Sequence, residues 1–237
     1  MAGLVLAAGA GRRLGMPKAL VEVGGRPLAE RAIGTLAEGG CRPVLVVLGA
    51  SADEVRSRCH LDDAVVVSND AWEEGMGSSV RTGLAAADQL GVPAALVLPV
   101  DQPLVTPALV ARLLDVWREG AVAAVATFGG EMRTPVVLDR SIWQQVSSLA
   151  VGDTGARAFL RSNPALVTPV ACDDVGDELD VDTQEDLLRV ERARAQPPDT
   201  GGSSATSSSA HSTVAGSAGS PLTQTRQVGS SSQKRSP

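Results

Sequence analysis

Up to about residue 195, the chain alternates short, nearly uninterrupted apolar runs with helix-like stretches. That rhythm narrows the possible folds more than any other feature. Residues 3–8, 43–48, 64–67, 94–99 and 121–127 are expected as buried strands, with further candidates at 134–138 and 166–170. The clearest helix is predicted over 106–119. Thr106 is its N-cap, Pro107 its first residue and Gly120 its stop, with Leu109, Val110, Leu113, Leu114, Val116 and Trp117 on one stripe. A second is predicted over 27–38, stopped by Gly39 and Gly40, and a third from about 79 to 90. Apolar strands alternating with helices predict an α/β fold: a three-layer α/β/α sandwich with a mostly parallel central sheet. In such sheets ligands bind beyond the carboxyl ends of the strands, so the loops there are where function is expected.

The rhythm stops at the last predicted helix. Residues 196–237 are mostly Ser, Gly, Thr, Ala, Gln and Pro, with Val214, Leu222 and Val228 as their large apolar residues. So little apolar surface cannot offset an ordering entropy of roughly 1–2 kcal/mol per residue, and a disordered tail is expected. Residues 1–195 are then one domain. The net charge of -6 and the scarcity of aromatics (three Trp, two Phe, no Tyr) argue against a nucleic-acid surface. Two histidines, His60 and His211, cannot build a multi-histidine metal site. Cys41, Cys59 and Cys172 show no C-x-x-C spacing, which argues against a zinc ribbon or a disulfide framework. No apolar stretch is long enough to span a bilayer, and a cytoplasmic location is expected.

The loop after the first strand reads Leu4-Val-Leu-Ala-Ala-Gly9-Ala-Gly11-Arg12-Arg13-Leu-Gly15-Met-Pro17-Lys18. Gly9 and Gly11 allow a tight turn whose N–H groups approach an anion, and Arg12, Arg13 and Lys18 add cations at the same edge. The spacing fits neither the G-x-G-x-x-G dinucleotide fingerprint nor a P-loop. Glycines with positive charge at a strand's carboxyl end indicate polyphosphate binding, whereas glycines alone would read as an ordinary strand–helix turn.

Two carboxylate positions stand out. Asp101, in Val100-Asp-Gln-Pro103, lies where a buried strand meets the ligand edge; it can hold one Mg²⁺ or satisfy a turn N–H. Asp182 opens the last helix. There it, or Thr183, can be an N-cap completed by Glu185 or Asp186, and Asp180 is a reserve candidate. The segment from Asn69 to Arg81 reads structurally as a turn at Gly75 and Gly77, with Trp72 packing and Ser78 as N-cap of the third helix. A helix start with N–H groups and hydroxyls can also read a base or ribose.

Together these segments resemble the MobA-like nucleotidyltransferases, the family of the molybdenum cofactor cytidylyl- and guanylyltransferases. The resemblance rests on L-A-A-G-x-G-x-R-x-G-x-x-K, on D-Q-P at 101–103, on N-x-x-W-x-x-G-M-x-S-S from Asn69, on G-D-x-G-A-R at 152–157 and on D-x-D-T-x-E-D-L from Asp180. It implies that Leu6, Ala8, Gly9, Gly11, Asn69, Ser78 and Ser79 bind the nucleotide. Arg13 and Lys18 would be catalytic, and Asp101 with Asp182 would hold Mg²⁺. Arg133 and Arg157 would grip an acceptor phosphate, although either could equally be a surface cation. Thr134 departs from the commonest cytidylyl pattern, which leaves the acceptor open.

The expected chemistry is attack of a phosphate-bearing acceptor on the α-phosphorus of a nucleoside triphosphate, with release of pyrophosphate. Such transfer needs positioning and charge neutralisation more than a covalent nucleophile. Ala8, where the guanylyl branch usually has glycine, favours CTP. By resemblance the acceptor is the molybdenum cofactor and a molybdoenzyme is a candidate partner. Rivals are a guanylyl-, isoprenoid- or sugar-phosphate nucleotidyltransferase, a non-catalytic cofactor-binding chaperone and, more distantly, a dehydrogenase.

Overall fold

The computed structural model describes residues 1–195; the tail expected at 196–237 lies outside the described residues. Along the chain, β1 (Ala2–Ala7) is followed by a small antiparallel hairpin, β2 (Glu22–Val23) and β3 (Arg26–Pro27). Then come α1 (Leu28–Glu38), β4 (Val44–Leu48), α2 (Ala52–Arg58), β5 (Val65–Ser68), α3 (Met76–Gln89), β6 (Ala94–Pro99) and α4 (Pro107–Arg118). The second half runs β7 (Ala123–Phe128), β8 (Glu131–Asp139), α5 (Trp143–Leu149), α6 (Arg157–Ser162), β9 (Val167–Ala171) and α7 (Gln184–Ala195).

Seven strands form the main sheet in the order β5-β4-β1-β6-β8-β7-β9. All neighbours are parallel except β8, which is antiparallel to both β6 and β7. The exception has a plain cause. Only Gly129 and Gly130 separate β7 from β8, at φ 56 and 83, and a parallel return needs a crossover of roughly a dozen residues. The sequence pattern located only the buried half of β8, because Glu131, Met132 and Arg133 are exposed.

Alternation along β1 feeds two cores. Val5 and Ala7 face the layer that holds α1, α2, α4 and α7, while Ala2, Leu4 and Leu6 face the layer of α3, α5 and α6. Helices therefore cover both faces, as the alternation predicted. Each fully buried Leu or Val contributes roughly 1.5–3 kcal/mol, so continuity of these runs specifies the sheet. At the start of α4, Thr106 Oγ1 accepts from the Leu109 amide at 3.1 Å, and Leu109, Val110, Leu113 and Leu114 are buried as the stripe required.

The third helix begins earlier than expected. Its first residue is Met76 and Gly75, at φ 96, precedes it, so Ser78 is inside the first turn and is not the N-cap. A distant carboxylate takes up the exposed N–H: Asp153 Oδ1 accepts from the Met76 amide at 3.3 Å. Three short helices, α2, α5 and α6, were not legible from periodicity; at six or seven residues each they bury too few positions to show a period.

Candidate functional site

The glycine loop leaves the end of β1 and returns through Pro17 into a 3-10 turn, Lys18–Leu20, whose Ala19 and Leu20 are buried. That burial anchors the base of the loop and fixes where the Lys18 side chain starts. Gly11 has φ 60, and a Cβ there would overlap the Met16 carbonyl, so local geometry demands glycine. Gly9 is different. Its φ is unremarkable, and no atom lies within 4 Å of where a Cβ would stand. The fold does not require glycine at 9; open space over its backbone suits the approach of a ligand.

Hydrogen bonds between backbones bring the acidic segments to this loop. Val100 N donates to the Leu6 carbonyl at 3.1 Å, tying the end of β6 to β1. Val181 N donates to the Asp101 carbonyl at 2.8 Å, setting residues 180–182 beside Asp101. The two readings of Asp182 then separate. Thr183 Oγ1 accepts from the Asp186 amide at 3.2 Å, while Asp186 Oδ2 accepts from the Thr183 amide at 2.9 Å. Thr183 and Asp186 thus form the capping box of α7, which leaves the Asp182 carboxylate free for the site.

There the charges converge. Lys18 Nζ donates to Asp101 Oδ2 at 2.5 Å and also to Asp182 Oδ1. Arg13 Nη1 lies 3.3 Å from Asp182 Oδ2. Lys18 and Asp101 are about four-fifths buried, whereas the Arg13 side chain is 75% exposed. Burial lowers the pKa of Lys18, but the charges and hydrogen bonds of Asp101 and Asp182 more than offset it, so the ammonium is held above its ordinary value. Next to them Asp180 accepts from Gln102 Nε2 at 2.9 Å. Asp180 keeps contact with solvent, yet desolvation at the cavity wall and then the charge of Asp101 push its carboxyl up to about 6.

Two oxygen donors from positions far apart in sequence thus share one cation. Among the described residues no group of three or more His, Cys, Asp or Glu could hold a metal. A hard divalent ion held by Asp101 and Asp182 would complete its shell with phosphate oxygens and water, the usual pattern for Mg²⁺. The buried Gln102 Oε1, which has no partner among the described residues, adds to the negative character that a cation would offset.

Asn69, Ser78 and Ser79 are also brought together, but as a buried clasp. Asn69 Nδ2 donates to Ser78 Oγ at 2.8 Å and to Ser79 Oγ at 3.1 Å, and Ser78 Oγ donates to the Gly75 carbonyl at 2.8 Å. Their side chains join the end of β5 to the start of α3. The Ala8 methyl is likewise buried: it lies under Gly49, where an added Cβ would meet both it and Trp72.

Beyond Asp101 and Asp180 opens a cavity of about 390 Å³. Its floor includes Leu6, Val97, Val125, Val136 and Leu160, and both Arg133 and Arg157 line it. Arg133 pairs with Glu178 through Nε. No ion pair engages Arg157 or Arg161 among the described residues, and Arg161 joins the same wall one helical turn later. Sequence reading passes over Arg161 and gives Gln102 no role of its own, whereas Asp186 takes the capping role expected for it or Glu185. Arg161 was recoverable from its i+4 spacing to Arg157, whereas Gln102 needed the pairing across to Asp180.

Residues 3–167 match the family model described as the MobA-like NTP transferase domain. The chain is 42% identical over 195 residues to nicotine blue oxidoreductase of Paenarthrobacter nicotinovorans, covering 79% of this chain and 95% of that one. It is 30% identical to molybdenum cofactor guanylyltransferase of Rhodobacter capsulatus, covering 84% and 99%. The crystal structure of Rv0371c in complex with manganese, from Mycobacterium tuberculosis, superposes with a TM-score of 0.67 at 28% identity, covering 81% and 98%. The glycine loop, the mostly parallel sheet and the match over residues 3–167 agree: the chain belongs to the MobA-like NTP transferase family.

Proposed function

We propose that this chain transfers a nucleoside monophosphate from a triphosphate, with CTP as the favoured donor, to a phosphate-bearing acceptor of the molybdenum cofactor class. One observation carries the reading: Asp101, Asp182, Lys18 and Arg13 meet beside the glycine loop. The loop amides around Gly9 and Gly11 would receive phosphate oxygens. Lys18 would exchange its carboxylates for the phosphates and Arg13 would swing in from solvent, so both take up charge on the leaving pyrophosphate. Asp101 and Asp182 would hold Mg²⁺, which when bound screens the phosphate charges. The cavity beyond Asp101 would hold the acceptor, its phosphate drawn to Arg157 and Arg133.

Asn69, Ser78 and Ser79 enter this reading through the clasp, which fixes the start of α3 beside the nucleotide. With the Ala8 methyl buried, the preference for CTP rests on the resemblance of the loop. The guanylyltransferase relative makes GTP the principal competitor. The decisive assay supplies each of the four triphosphates with Mg²⁺ and a molybdopterin-type acceptor and measures pyrophosphate. Release with CTP above the others supports the proposal, a preference for GTP corrects the base, and no release with any of them favours a binding chaperone.

A second reading is favoured by one observation, the 42% identity to a relative named an oxidoreductase. Cys41, Cys59 and Cys172 are all buried, and burial pushes the Cys41 thiol up to about 12, so the cysteines offer little thiolate to such chemistry. Consumption of NADH or NADPH with nicotine blue as acceptor, without pyrophosphate release, would establish the redox reading in place of transfer.

A further inference from the structure

A second cavity, of about 330 Å³, opens between the small hairpin, α1, the turn before α4 and the end of α7. It shares no lining residue with the acceptor cavity. Three guanidiniums line it, those of Arg26, Arg31 and Arg194, against one carboxylate, Glu38.

The packing keeps these cations in place. Gly24, at φ 60, lies under the Arg194 guanidinium, which any side chain at 24 would strike. Gly34 lies under Arg26, whose guanidinium stands 3.4 Å from where a Cβ would be. The two outer arginines are tethered at the periphery, Arg26 Nε to Glu30 at 3.6 Å and Arg194 Nη1 to Glu191 at 3.4 Å. Arg31 makes no ion pair among the described residues, and only the charge of Glu191 acts in its favour. Among the described residues its Nε is buried without a partner, and its Nη2 reaches only the Pro103 carbonyl, at a long 3.4 Å. Burial and then the charges of Arg194 and Arg26 lower its pKa, which marks the crowding of like charges.

A buried donor left unpaired beside two other cations costs free energy that a bound anion recovers. Guanidinium forks suit oxygens arranged as on phosphate, and the unpartnered Arg31 Nε is a donor such an oxygen can meet. We propose that this cavity is a binding site for a phosphate-class oxyanion, contacted by Arg31 and flanked by Arg26 and Arg194, and distinct from the glycine loop. Free phosphate and pyrophosphate share the chemistry and are told apart by the test.

Calorimetric titration of the full chain with inorganic phosphate, and separately with pyrophosphate, reads the site. Saturable binding of at least one of them is expected. It should persist in Lys18→Met, which removes the loop cation, and weaken about tenfold or more in Arg31→Gln, the worth of one charge-assisted hydrogen bond. Arg194→Gln, at the rim, should weaken it as well and decides the matter should Arg31→Gln fail to fold. Whichever anion saturates identifies the source. The proposal is overturned by absence of saturable binding, by binding that Arg31→Gln or a folded Arg194→Gln leaves unchanged, or by binding lost in Lys18→Met.

Discussion

The two sides of Asp101 manage positive charge in opposite ways. On the glycine-loop side, Lys18 and Arg13 are already committed to Asp101 and Asp182. On the cavity side, Arg157 and Arg161 carry no ion pair among the described residues, and only Arg133 is held, by Glu178. A triphosphate with its metal brings both signs of charge, so it can relieve carboxylates and cations together. An acceptor phosphate brings negative charge alone and meets bare guanidiniums. On the proposed function, the paired region would take the donor and the unpaired region the acceptor.

The contrast breaks most sharply at Asp101. Asp101→Ala should lower kcat by about 10³-fold or more, as loss of a principal electrostatic contact does, with the circular dichroism spectrum unchanged. Lys18→Met should lower kcat by about 10²–10³-fold. Because it also removes the resident cation between two carboxylates, Mn²⁺ should bind this variant more tightly than the wild type when nucleotide is absent. Arg157→Ala should raise KM for the acceptor about tenfold and leave KM for the triphosphate unchanged, a split that steady-state kinetics reads directly.

The smallest effect is expected at Asp180. Its carboxyl titrates at about 6 in the fold against an ordinary 3.8, so the fold favours the neutral form. Its contribution to stability is present below about 3.8 and is lost as pH rises through about 6. Asp180→Asn, neutral throughout, should raise Tm relative to wild type above about pH 6 and not below pH 3.8. The gain should be about 1 kcal/mol or less, since the side chain retains solvent. Thermal melts at pH 3.5 and 7.5 would measure it.

Much of the frame could be read from local pattern, because strands buried on both faces must be apolar throughout and α4 carries its own cap and stop. Gly11 was legible for a similar reason, since a single position bears the whole conformational demand. What escaped was set by distant partners. The Thr183–Asp186 capping box is local and was among the options the sequence offered, whereas the tie of Val181 to Asp101, which sets Asp182 in the site, is not visible in it. Ser78 gave way as an N-cap because Asp153, from a segment far along the chain, takes the Met76 amide. Asn69, Ser78 and Ser79, which the resemblance implies as contacts to nucleotide, bond to one another and to the Gly75 carbonyl, an arrangement their spacing does not reveal.

The central claim is tested most directly by a crystal structure of the full chain with Mn²⁺ and a non-hydrolysable CTP analogue, read by anomalous scattering. The account predicts a manganese peak between Asp101 and Asp182, with Lys18 displaced onto the phosphates and the triphosphate against Gly9. Manganese bound elsewhere, with Lys18 still clamped between the two aspartates, would contradict it.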